Sequence, residues 1–202
     1  MQRILVFFLA SALLGVLLAQ PNFPVPLRPG LFGAVLMLSV AWCLRQRWRL
    51  APDAPEAPER RALLSLSGTV IVLSHLLTSL WQIGPAMQLH TPASHAMGID
   101  NWTLFGAALL MGWLARAAGP SADERDRQIA ATALRYCHYS LLLQLLAFVL
   151  WLAFGHGAVL EQLSRAMLAQ WLICFWIVSC VVHDITCLHA YARDRRLEAG
   201  AQ

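Results

Sequence analysis

The sequence predicts an all-α polytopic membrane bundle of six transmembrane helices with both termini in the cytoplasm, and three observations carry the prediction. First, 58% of the 202 residues are hydrophobic and 13% charged, against about 25% charged in an average soluble domain. Second, six apolar runs are separated by clusters of proline, glycine and charge. Third, all fifteen basic residues are arginine, and they are distributed unevenly among the connections. A crossing takes about 20 apolar residues, so the chain holds about six with short links. It reads as a single transmembrane domain, 1–202, without a separate soluble unit.

The first run, about 4–20, is followed by PNFPVPLRPG. Its basic start, apolar centre and Ala19 also suit a cleaved signal peptide, although Leu17 is a poor residue three positions before such a cut. The second run, about 31–44, ends in RQRWRLAPDAPEAPERR. The third is 62–83 and the fourth 102–116, followed by AAGPSADERDR. Within that segment Ser121 and Glu124 match an S-x-x-E capping box. The fifth helix therefore runs 122–157, with a cytoplasmic extension bearing Asp123, Glu124, Arg125, Asp126 and Arg127. That charged turn is either a solvated face or a docking surface. The sixth run is 166–188. Every run exceeds a strand's length and none alternates, so backbone satisfaction in lipid favours helices over a barrel.

Orientation follows from the arginines. With the N-terminus inside, Arg3, Arg45, Arg47, Arg49, Arg60, Arg61, Arg116, Arg125, Arg127, Arg135, Arg193, Arg195 and Arg196 are cytoplasmic, leaving only Arg28 and Arg165 outside. This is the positive-inside pattern of an inner-membrane protein. The same placement accounts for the net charge of +4 without nucleic acid, because no basic face interleaved with aromatics is present. Attraction to anionic headgroups is its added consequence. Trp48, Trp81, Trp102 and Trp113 lie toward helix ends, where an amphipathic ring sits well.

The buried polar residues are the candidates for chemistry. On the third helix Gly68, His75, Thr78, Ser79 and Gln82 share one direction at about 100° per residue, so this helix faces protein. His75 is a candidate haem or metal ligand, proton relay or ligand contact; hydrogen bonding to another helix explains it equally well. At the cytoplasmic end of the last two helices, Cys137, His138, Cys180, His183 and Cys187 form a candidate zinc or copper set, with Asp184 as the only acid near the bilayer interior. His183 and Cys187 have the i, i+4 spacing that aligns two donors. As haem-b ligands, His138 and His183 are close enough in depth to share a centre, while His75 needs another partner such as His90 or His156. The external loop GPAMQLHTPASHAMGIDN adds Met87, His90, His95 and Met97, a copper-type donor set. The five cysteines include no CxxC pair and imply no disulfide framework. Packing is the plain alternative for each. Asn101-Trp102-Thr103 matches a glycosylation sequon close to the bilayer.

No G-x-S-x-G, Walker loop, HExxH, histidine-box run or pair of buried carboxylates is present, so common hydrolase, nucleotidase, metalloprotease and desaturase readings have no motif. Three functional classes follow. The first is a non-catalytic accessory or assembly subunit, associating through a membrane-protein partner or as a homo-oligomer, with Gly68, Gly106 and Gly112 at helix contacts. The second is a haem-b or copper/zinc subunit. The third is a small-solute carrier or channel using the third helix with Gln144 and Gln170.

Overall fold

The computed structural model describes residues 2–50, 57–115 and 123–200. Among these there are six long helices, one single-turn helix and no strands. The connectors 51–56 and 116–122, with Arg116 and Ser121, lie outside the described residues.

Helix α1 (Gln2–Leu18) is apolar nearly throughout and stops before a proline-rich link. Helix α2 (Pro29–Leu50) opens on a proline, whose missing N–H costs nothing in a first turn. Asp100 Oδ1 accepts the next N–H, that of Gly30, at 3.1 Å. Helix α3 (Ala57–Ile83) ends at Gly84, whose φ of +84° suits a residue without Cβ and whose N–H returns to Leu80 O at 3.0 Å. Helix α4 (Pro92–Ala115) starts on a reciprocal cap: Thr91 N–H donates to Ser94 Oγ at 3.1 Å, and Ser94 N–H donates to Thr91 Oγ1 at 3.2 Å. Half of the external "loop" is therefore helix, and the fourth helix begins ten residues before the predicted 102.

Helix α5 (Glu124–Phe154) is capped by Asp123, which accepts from Asp126 N at 2.7 Å; the cap stands two residues beyond Ser121, the predicted one. A single turn, α6 (Ala158–Glu161), leads to α7 (Arg165–Gly200), where Ser164 Oγ accepts from Met167 N at 3.1 Å. Helix α7 runs a dozen residues beyond the predicted end at 188.

Four of these helices are long and apolar enough to cross a membrane: Pro29–Trp48, Pro58–Ile83, Glu124–Phe154 and Arg165–Arg195. The apolar part of α1, Ile4–Leu18, is shorter. The first turns of α4 carry His95, Asp100 and Asn101, which dilute its apolar stretch.

Helix α3 is the hub. It packs on α1, α4 and α7, while α2 lies on α4 and α5 on α7. The hub position follows from close-approach residues. Gly15 of α1 sits so tightly on α3 that a Cβ there would meet Ser74 Oγ, with Ile71 O at 2.5 Å. Gly68 of α3 meets Ala108 of α4 at 3.0 Å from the same construction. Small residues at crossings let backbones approach and gain dispersion contacts. Gly106 and Gly112, predicted at helix contacts, instead meet nothing within 4 Å.

One end of the bundle is clamped by charge. Arg195 of α7 forms two bonds to buried Glu59 of α3, at 2.7 and 2.6 Å. Arg125 Nε of α5 reaches Asp194 Oδ2 at 3.0 Å, and Tyr191 OH donates to Asp126 Oδ1 at 3.0 Å. The charged turn of α5 thus docks, in large part, on the extension of α7.

Candidate functional site

The polar residues singled out in the sequence occupy three separate places. The first lies between α3 and α4. His75 is buried, and its Nδ1 is 2.9 Å from Asn101 Oδ1. With the amide oxygen toward the ring, the proton is on Nδ1 and Nε2 keeps a lone pair. Asn101 Nδ2 is buried without a partner among the described residues. The partner of His75 is therefore an amide, in place of the expected His90 or His156. Asn101 is correspondingly engaged inside the bundle, which removes the sequon's acceptor from the surface.

The second place is the α5–α7 contact. His183 Nδ1 lies 3.0 Å from Asp184 Oδ1, and its Nε2 lies 4.0 Å from Cys187 Sγ. Asp184 is buried, and its Oδ2 has no partner among the described residues. The i, i+4 alignment of His183 and Cys187 is thus real. Cys137 and Cys180 are half-buried, whereas His138 is exposed, with the Tyr139 ring centroid 6.4 Å away. The three histidines proposed as haem ligands consequently stand on three surfaces: His75 toward α4, His183 along α7, His138 outward. Among the described residues no three His, Cys, Asp or Glu side chains are grouped so as to hold a metal ion. All five cysteines are free thiols.

The third place is an open depression of about 630 Å³ at the opposite end of the bundle from the charged clamp, lined in part by Met87, His90, His95, Met97 and Gln170. Ser164 N–H donates to Pro85 O at 3.1 Å, tying the start of α7 to the link that follows α3. His90 has a φ of +67°, an uncommon value for a residue with a Cβ. The structure brings all four predicted donors to one depression but divides them. Met87 and Met97 belong to the apolar core, while His90 and His95 are exposed. His95 and Met97 stand two apart on α4, a spacing that turns side chains away from each other.

Comparison with protein-family models, curated proteins and solved structures found no match to this chain. Its own geometry is what remains to be read.

Two features escaped sequence reasoning. Glu59 and Asp100 are buried acids alongside Asp184, each for a local reason: one holds Arg195, the other the Gly30 N–H. Their partners lie 136 and 70 residues away, and no pattern within one sequence announces such pairs. The residues suggested for a solute path are also dispersed. Gln144 Nε2 is held by Ser140 O, Ser140 Oγ and Ser179 Oγ at 3.0, 3.0 and 3.1 Å, tying α5 to α7. Gln170 faces the depression instead, and His75 is bound to Asn101.

Proposed function

We propose that the chain is a non-catalytic subunit of an inner-membrane complex, crossing the bilayer six times with both termini on the arginine-rich, cytoplasmic side. The observation that carries this reading is α5. None of its apolar membrane-length window is buried, and among the described residues it packs chiefly on α7. Leu142, Leu143, Leu146, Val149 and Leu150 are all exposed along it, a continuous face for a second membrane protein or another copy of this chain. Alternating fixed ties (Asp126, Gln144) on its inner side hold that face at a set angle. The four membrane-length helices and the thirteen-to-two arginine bias support the topology.

The test is a photo-crosslinking residue at Leu143 in native membranes. A discrete adduct of fixed mass, about twice 22.4 kDa for a self-pair, is expected. Crosslinks to lipid alone would sink the reading.

A second reading, a copper or zinc subunit, rests on the i, i+4 pair His183 and Cys187, to which no third donor is joined among the described residues. Elemental analysis and absorbance spectra of the pure protein, before and after dithionite, test it together with haem. Less than about a tenth of an equivalent of metal and no Soret band would remove both, since a structural site of ordinary affinity survives purification.

A further inference from the structure

We propose that the crevice between α3, α4 and α7 holds one acyl chain of an anionic phospholipid, with the headgroup phosphate on Arg61. This inference rests on the membrane reading but not on the subunit reading. The crevice encloses about 380 Å³. It exists because α3 packs on both α4 and α7 while those two hardly touch. Ser65, Thr69 and Val72 of α3 form its back, and Trp113 and Trp176 lie on its two walls. Its deep end is closed where Phe105 meets Trp176, ring centroids 5.9 Å apart. Along the α4 wall, a Cβ placed at Gly112 meets nothing within 4 Å, so the space is open there.

Length selects the occupant. From Arg61 to Val72 the helix rises about 16 Å at about 1.5 Å per residue. That is close to half of a hydrocarbon core about 30 Å thick, the depth of one leaflet. Polarity agrees. The Thr69 hydroxyl donates to Ser65 O at 2.9 Å and also approaches Leu66 O at 3.1 Å, so its hydrogen is used within α3 and its methyl is left for the crevice. The guest therefore meets the Ser65 hydroxyl as the one polar group of the back wall left without an internal bond among the described residues, and one cation at the mouth. Arg61 is exposed, and among the described residues no carboxylate pairs with it. A guanidinium binds phosphate oxygens in a planar, two-pronged fashion, and basic pockets between helices favour anionic headgroups. Trp113, largely exposed at the same end, suits the headgroup level. A soluble anion would leave the apolar length of the crevice empty, and a zwitterionic lipid would leave the cation less well compensated.

The experiment titrates delipidated protein in mild detergent with phosphatidylglycerol or phosphatidylcholine and counts bound lipid by native mass spectrometry. One phosphatidylglycerol is expected to bind about fivefold more tightly than phosphatidylcholine. Arg61→Gln is expected to bring the two together. Gly112→Phe, filling the open wall, is expected to weaken both about tenfold through lost apolar burial, while Gly106→Phe, at an open position off the crevice, changes neither. Equal binding of the two lipids by the unaltered chain overturns the proposal, as does unchanged binding in both Arg61→Gln and Gly112→Phe. Cys180 gives a readout that needs no substitution, because it lines the crevice. Maleimide labelling there, separated by peptide mapping from that of exposed Cys43, should be slowed by phosphatidylglycerol at about fivefold lower concentration than by phosphatidylcholine; absence of protection by either lipid also overturns the proposal.

Discussion

Helices α3 and α5 have nearly the same mean hydropathy over their membrane-length windows, 1.7 and 1.8, yet 67% of the first window is buried inside the protein and none of the second. Hydropathy therefore reports which solvent a helix tolerates and says nothing about its neighbours. What separates the two is the distribution of small and polar residues. Helix α3 carries Ser65, Ser67, Gly68, Thr69, Ser74, His75 and Ser79, and it meets glycine or alanine on α1 and α4. Over its apolar stretch α5 offers leucine, valine and aromatics, with Gln144, braced by Ser140 of the same helix, as its polar tie to α7. In a membrane, where apolar surface gains nothing by leaving lipid, close approach and polar contacts decide packing.

The sharpest way to break that contrast is at the hub. Gly15→Leu places a side chain against Ser74 Oγ, which can rotate aside, and against the carbonyl of Ile71, which cannot withdraw without moving α3. A loss of about 3 kcal/mol is expected, at the upper end of the usual overpacking range. Reversible unfolding in mixed micelles measures it, and a change under about 1 kcal/mol would mean that α1 is not seated as described.

Next in size is the charged clamp. Glu59→Gln leaves Arg195 facing a neutral amide at a site where the carboxylate is buried. Removing one partner of a fully buried pair costs about 3–5 kcal/mol. Arg195 is 46% exposed and water can take it up, so about 1.5 kcal/mol is the expected loss. Arg195→Met should cost more, about 3 kcal/mol, because it leaves the buried Glu59 carboxylate without its partner, and the double variant should cost less than the sum of the two, because both remove one interaction. Strict additivity of the two would show that the pair does not join α3 to α7.

These sites also mark how far the sequence could be read. Composition and the length and non-alternation of the apolar runs were enough for an all-helical bundle, and the one-sided polar stripe of α3 was enough to turn His75 inward. The i, i+4 rule placed His183 beside Cys187. What stayed hidden was non-local or locally atypical. His75 with Asn101 and Glu59 with Arg195 join residues 26 and 136 apart. The start of α4 was hidden because its cap pairs Thr91 with a serine where glutamate or glutamine is usual, and because its first turns are polar. The charged turn of α5 was correctly placed before the apolar stretch, but its partner, the α7 extension, lies beyond 188, where the apolar run that marked the sixth helix ends.

Smaller still is the tie within the hairpin. Gln144→Leu removes the bond to Ser179 Oγ and those to Ser140 while keeping most of the side-chain volume. Polar contacts between membrane helices are worth about 0.6 kcal/mol on average and up to about 1.7. Ser179 is fully buried, though its own hydroxyl still donates to Phe175 O at 2.9 Å, so no donor is stranded. The expected loss is about 0.5–1 kcal/mol. A larger loss would mean that α5 depends on this contact for more than its setting angle.

The smallest effect is expected on the outer face of α5, and it is the one that separates stability from function. Leu143 is 68% exposed and Leu146 57%, so truncation to alanine opens no cavity and removes no contact with another helix of this chain. Changes away from packed sites usually stay within about 0.5 kcal/mol. Leu143→Ala and Leu146→Ala should therefore unfold like the parent in micelles. In native membranes, with the photo-crosslinking residue kept at position 143, Leu146→Ala should weaken the discrete crosslinked adduct, because a partner packed on that face loses the dispersion contacts of that leucine. If both stability and crosslinking are unchanged, α5 faces lipid and association runs elsewhere. If stability falls by more than about 1 kcal/mol, the face is already covered within the chain, and the opposition between α3 and α5 does not hold.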